Sequence, residues 1–178
     1  MRAYLITGNP GSGKSVLAAE LSRRGLIAVD GDDLAFWEDS AGVRVEQPPD
    51  PDDDWRLAHR WVWSRARLEQ CIAGFSGDAG RMFLCGIARN QTEMLDLFER
   101  VFLLMIDDET QLVRLKSPAR TTSPARTEAI RQQIREGRPV FQAQMLSRGA
   151  VPLDGTASPK VLADSLLAHV APGYDPQA

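Results

Sequence analysis

The chain has 178 residues, 43% of them hydrophobic and 25% charged, and its 21 Lys and Arg against 24 Asp and Glu give a net charge of −3. A chain of this length buries roughly two thirds of its unfolded surface, which suits one domain over residues 1–178 with a small insertion or lid and leaves little room for two full domains. The slightly acidic balance, without a Lys/Arg run, argues against a nucleic-acid or membrane-surface partner held by bulk charge, while a small anionic ligand could still meet a local basic pocket.

Ala3 to Thr7 is an apolar run too short, and too soon broken by Gly8, to be a secretory signal or a membrane span, so the expected location is the cytoplasm. It stops at a glycine cluster, and Gly13 to Arg24 then places Val16, Leu17 and Leu21 at helical spacing, which predicts strand, loop, helix. Leu26 to Val29 is a second short apolar run ending in acidic residues, the pattern of a buried parallel strand whose carboxyl end opens into a site. Trp37 to Asp54 interrupts this pattern with Pro48, Pro49, Pro51 and an acidic cluster, and Trp55 to Ile72 reads as one helix with Asp53 or Asp54 at its N-cap. Residues 37–80 are thus expected to be a helical insertion between the second and third strands. Arg81 to Cys85, Val101 to Ile106 and Ala150 to Leu153 predict three more strands. Helices are expected over Thr92 to Arg100, Glu109 to Lys116, Glu128 to Leu146 and Pro159 to Val170. Such alternation predicts a parallel α/β sheet with helices on both faces. Residues 116–127, rich in Ser, Thr and Pro around Arg120 and Arg126, read either as a mobile arginine-bearing lid or as an ordinary loop with solvated arginines. Cys71 and Cys85 have no CxxC partner and no histidine at ligand spacing, which argues against a zinc site or a disulfide framework.

Gly8-Asn9-Pro10-Gly11-Ser12-Gly13-Lys14-Ser15 fits G-x-x-x-x-G-K-[ST] without a gap, between an apolar strand and an amphipathic helix, where the mechanism of that motif requires it. Its glycines let the backbone curl around a polyphosphate, and the following helix adds its positive N-terminal end, so Gly8 to Val16 is the expected nucleotide-binding segment. Lys14 is expected to bridge the β- and γ-phosphates and Ser15 to hold Mg²⁺, with ATP as donor. No Asn-Lys-x-Asp guanine motif occurs, and the third strand ends Phe83-Leu84-Cys85-Gly86 rather than in the Asp-Glu pair of motor-type ATPases. Small-molecule kinases are the favoured class, a nucleoside or nucleoside-monophosphate kinase among them, with an ATP-binding module or a nucleoside-triphosphate hydrolase as the alternatives.

The chain resembles the P-loop small-molecule kinases of the shikimate, gluconate and nucleoside-monophosphate kinase superfamily. Val29-Asp30-Gly31-Asp32-Asp33-Leu34 is similar to the D-x-D that ends the second strand of shikimate-type kinases. Gly86-Ile87-Ala88-Arg89-Asn90 is similar in placement to the glycine-plus-arginine turn that holds the acceptor. Arg138, with Phe141 three residues on, resembles the pair beyond the shikimate kinase lid. The resemblance implies a three-layer fold whose five-stranded parallel sheet runs in the order 2-3-1-4-5, and an activity that phosphorylates a small metabolite. It implies that Asp32 orients or deprotonates the acceptor hydroxyl, that Asp30 holds a magnesium-bound water, and that Arg120 and Arg126 meet the charge of the moving phosphoryl group. Arg89 and Arg138 could grip an anionic part of the acceptor, or be surface arginines paired with carboxylates. Asp32 and Asp33 could alternatively cap the next helix. Cys85 stands where nucleotide kinases often place an aspartate, and reads as a small buried hydrophobe.

Trp55, His59 and Trp63 fall at i, i+4 and i+8 of the expected insertion helix and would share a face, with Trp61 pointing elsewhere. That face is either a packing surface or a platform for the ring of the acceptor, and His59 either a structural histidine or a general base. Asp50 to Asp54 reads as a solvated acidic loop leading into a helix N-terminus.

Overall fold

The computed structural model describes residues 2–75, 80–117 and 127–171. Five parallel strands form the main sheet: β1 (Arg2–Thr7), β2 (Ile27–Asp30), β6 (Arg81–Cys85), β7 (Arg100–Met105) and β8 (Val151–Asp154), ordered β2-β6-β1-β7-β8. Counting only these strands, the order is the expected 2-3-1-4-5. β1 is central, paired with β6 on one side and β7 on the other. Its alternate side chains therefore feed two cores. Tyr4 and Ile6 pack with Leu17, Leu21, Phe83, Phe102 and Leu166, beneath α1 (Lys14–Arg23) and α6 (Pro159–His169). Ala3 and Leu5 face the other way, onto Trp63, Leu68, Met82 and Leu84. Both sets are buried, as a strand covered on both faces requires.

Between β2 and β6 the insertion is not the single helix expected over Trp55 to Ile72. It contains β3 (Ala35–Glu38), β4 (Arg44–Val45), α2 (Asp53–Ala58), β5 (Arg60–Trp63) and α3 (Arg65–Gly74), and β4-β3-β5 is a separate antiparallel sheet. The helix breaks at His59 because Trp61, Val62 and Trp63 are better strand than helix formers and find a partner in β3, opposite Trp37, Phe36 and Ala35. Ser64 then restarts a helix by accepting a hydrogen bond from the Arg67 N–H. The N-cap of α2 is Asp52, not Asp53 or Asp54. Asp53 instead accepts from the Thr127 hydroxyl at 2.6 Å, tying the insertion to the start of α5 (Glu128–Ser147).

A second expected helix, Thr92 to Arg100, is two short 3-10 turns, Gln91–Glu93 and Leu95–Leu97. The Gln91 side chain is buried, accepting from the Thr7 hydroxyl and donating to Met145 Sδ. With Gln91 fixed there and β7 beginning at Arg100, too little chain remains for a regular helix. α4 (Asp108–Lys116) completes the layer beside α5. Among the described residues no helix is long and apolar enough to cross a membrane.

Candidate active site

β1 runs into the loop opened by Gly8, and α1 begins at its far end. Gly11 and Gly13 adopt φ of +90° and +104°, left-handed conformations that side-chain-bearing residues reach only under strain. Gly13 is the N-cap of α1 and brings no side chain to cap it, so the positive end of the helix opens onto the cleft beside Lys14, Ser15 and the exposed Val16. Lys14 Nζ reaches back to donate to the carbonyls of Gly8 (2.6 Å) and Asn9 (3.3 Å), spanning the loop. Asn9 Oδ1 and Ser12 Oγ are buried with no hydrogen-bond partner among the described residues. Glycine-enforced curvature, an uncapped helix terminus and a lysine across the loop fit a polyphosphate.

The loop is braced from behind. Gln111 of α4, fully buried, donates to the Pro10 carbonyl (2.9 Å), and its Oε1 accepts from Arg138 (3.1 Å). Arg138 and Arg135 of α5 both pair with Asp108, and hydrogen bonding from Arg135 above all holds that carboxyl below its ordinary range. Arg138 therefore stands behind the phosphate loop and is not among the residues lining the cleft. Arg114 donates to the Gly155 carbonyl (2.7 Å) and to that of Gly11 (3.3 Å), joining the loop to the turn after β8.

Across the cleft, β2 ends at Asp30, whose carboxylate caps the 3-10 turn Gly31–Leu34 by accepting from the Asp32 N–H at 3.0 Å. Capping thus falls to Asp30, and the Asp32 carboxylate accepts from the Trp61 indole N–H at 3.1 Å. Asp32 lies open to the cleft, yet enough protein surrounds it that desolvation dominates and raises its pKa. The Trp61 hydrogen bond and Lys14 oppose that shift, and Asp30 and Asp33 add to it. Lys14, Ser15, Asp30 and Asp32 line one cleft of about 1660 Å³.

The turn after β6 closes the same cleft. Asn90 clasps β5 by accepting from the Trp63 N–H and donating to the Trp63 carbonyl, both at 2.9 Å. The Arg89 N–H donates to the Trp61 carbonyl at 2.8 Å, and its exposed side chain lines the cleft. Cys85 is buried, and desolvation pushes its thiol up to about 12, so it stays neutral.

The aromatic wall differs from the expected one. Trp37 and Trp61 line the cleft, their ring centroids 5.1 Å apart. Trp55 and His59 stack on each other at 4.1 Å behind Trp37, and His59 Nδ1 is bonded to the Trp55 carbonyl at 2.6 Å. Trp63 is core. Trp61, expected to point elsewhere, is the tryptophan that meets Asp32, and the signal for this was the Arg60-Trp61-Val62-Trp63 alternation, a strand pattern overridden by helical spacing. Trp37 and Gln111 stand in no motif that marks them in the sequence as site residues. Arg120, Arg126 and most of the expected lid lie outside the described residues.

No protein-family model and no curated protein matches the sequence. Solved structures do match over nearly its whole length. A shikimate kinase from Acinetobacter baumannii in complex with shikimate is 17% identical with a TM-score of 0.60, covering 95% of this chain and 92% of that one. A deoxyadenosine kinase from M. mycoides with bound dATP is 12% identical with a TM-score of 0.56, covering 94% and 98%. A gluconokinase from Sinorhizobium meliloti 1021 is 15% identical with a TM-score of 0.52, covering 94% and 90%. At these identities the likeness is one of fold: the chain has the fold of the P-loop small-molecule kinases.

Proposed function

We propose that the chain is an ATP-dependent phosphotransferase that moves the γ-phosphate of ATP to a hydroxyl of a small metabolite. The observation that carries this reading is the meeting of the phosphate loop and Asp32 in one cleft. Gly8 to Val16 holds the donor, with Lys14 on the β- and γ-phosphates. Asp32 orients the acceptor hydroxyl and takes its proton as the acceptor oxygen bonds to the γ-phosphorus and the bond to the β–γ bridging oxygen breaks. Ser15 through its hydroxyl, and Asp30 through a bound water, are the oxygen donors that suit Mg²⁺, which supplies charge neutralisation on the phosphates. Arg89 is the cation available to an anionic part of the acceptor. Arg120 and Arg126 are the sequence candidates for the charge of the moving group. Arg138, Trp55 and His59 support this site from behind.

A second reading, a nucleoside or nucleoside monophosphate as acceptor, is favoured by the likeness to a deoxyadenosine kinase. Release of ADP from Mg-ATP, followed across sugars, cyclitols, sugar acids, nucleosides and monophosphates, decides between them. The expected result is acceptor-dependent ADP release that Lys14→Ala lowers by a factor on the order of 10² or more. ADP release that no acceptor stimulates would mean an ATP hydrolase, and ATP binding without any turnover a binding module; either result overturns the proposal.

A further inference from the structure

Trp61 of β5 stands opposite Trp37 of β3 in the small antiparallel sheet, ring planes at 52°, and both rings line the cleft. The Trp61 indole turns its N–H to Asp32 Oδ1. Among the described residues it is the one side chain that hydrogen-bonds the Asp32 carboxylate. Its placement is fixed from several sides: the Arg89 N–H holds its carbonyl, and Trp63, two residues on, donates from its indole to the Gly31 carbonyl at 2.9 Å. β5 therefore grips the Asp32 turn twice, through the side chain of Trp61 and, by way of Trp63, through the backbone of Gly31.

Resting on the phosphotransferase reading, we propose that Trp61 is a positioning and specificity-determining residue. Its N–H occupies Asp32 Oδ1 and leaves Oδ2 for the acceptor hydroxyl, and its ring, with Trp37, is the wall on which the ring bearing that hydroxyl lies. A hydroxyl bonded to Oδ2 is one hydrogen bond from the carboxylate, and Trp61 is one hydrogen bond away on the other oxygen. The carbon carrying the hydroxyl and the indole are therefore neighbours. A flat apolar face so near the reacting atom is covered by the C–H face of a sugar or cyclitol ring. An open-chain polyol covers it poorly and loses more rotational freedom on binding.

The test uses the full chain. At fixed pH the Trp61 indole N–H resonance, assigned by its absence in Trp61→Phe, should be shifted downfield and protected from exchange by its bond to Asp32, and Asp32→Ala should remove both effects; a Trp61 N–H unchanged in Asp32→Ala overturns the positioning role. Trp61→Phe keeps a ring at the wall and removes the N–H, so it should lower kcat with little change in KM for the ring acceptor. With Mg-ATP, cyclic sugars and cyclitols should be phosphorylated in preference to open-chain polyols, and Trp61→Leu should raise KM for the ring acceptor by up to roughly tenfold. An unchanged kcat in Trp61→Phe, or open-chain polyols turned over as well as rings, overturns the assignment. ADP release that no acceptor stimulates overturns instead the phosphotransferase reading beneath it, and undiminished turnover in Asp32→Asn the role given to Asp32 within it.

Discussion

A Cβ placed on Gly86 would stand 3.0 Å from the Cα of Gly31 and 2.8 Å from Trp63 Cζ2, so the ends of β2 and β6 meet backbone to backbone under the Trp63 ring. The contact fixes where the Asp32 turn leaves the sheet. Gly86→Ala must push either Trp63 or Gly31 aside. The expected loss is about 1–3 kcal/mol, read as a lower urea midpoint, together with reduced turnover because Gly31 precedes Asp32. An unchanged midpoint would show that the two strand ends are not locked together.

Asp32 bears an ionisation cost in the folded state. Because its folded pKa is raised above the ordinary 3.8, the native protein holds the proton more tightly than the unfolded chain. Stability therefore falls as pH rises from the unfolded value through the folded one, and the penalty is absent below both. Asp32→Asn keeps an oxygen to accept from Trp61 and removes the charge. It should unfold at a higher denaturant concentration than wild type at pH 7, with the gap closing near pH 3, while phosphotransfer is lost. A less stable Asp32→Asn at pH 7 would contradict this balance.

Gln111 links the phosphate loop to α5 through two hydrogen bonds made by a buried amide. Gln111→Leu keeps the bulk and strands both partners. It should cost about 1–3 kcal/mol in chemical denaturation and speed amide hydrogen exchange at Gly11 to Gly13. Exchange no faster than wild type would mean that α4 does not brace the loop.

Glu20 of α1 is held by Arg23 and by Arg24 at the C-cap of that helix, and Arg24 also pairs with Asp164 of α6. Hydrogen bonding from the two arginines depresses the Glu20 pKa from 4.5 to about 2. Its stabilising contribution is present above the unfolded value and is lost as pH falls toward the folded one. Glu20→Gln should be less stable than wild type at pH 7, by an amount that shrinks below pH 4 and in high salt. A difference independent of pH would point to packing instead of charge.

Some of this molecule is written in local pattern. The phosphate loop was legible because its spacing serves a backbone conformation: Gly11 and Gly13 are needed where φ is positive, and Lys14 follows where the helix starts. The five sheet strands were legible because a strand buried on both faces must be a short, nearly unbroken apolar run, as Tyr4-Leu5-Ile6 and Met82-Phe83-Leu84 are. The sequence also brought Asp30, Asp32 and Arg89 to strand ends, where a parallel sheet gathers its ligand-binding residues.

The insertion and the division of labour within the site were decided only in three dimensions. Trp55, His59 and Trp63 fit a helical period, but the strand partner that claims Trp61 to Trp63 is Ala35 to Trp37, far enough away in sequence that no local window contains it. That pairing turns Trp61 toward Asp32 and sends Trp63 into the core. Arg138 has the composition of a ligand-binding arginine, and only the packing of α5 against α4 commits it to Asp108 and Gln111. Sequence spacing determines which groups a strand or helix can offer; long-range pairing decides which of them reach the cleft, because a hydrogen bond or a stacked ring is won by whichever distant element arrives at contact distance.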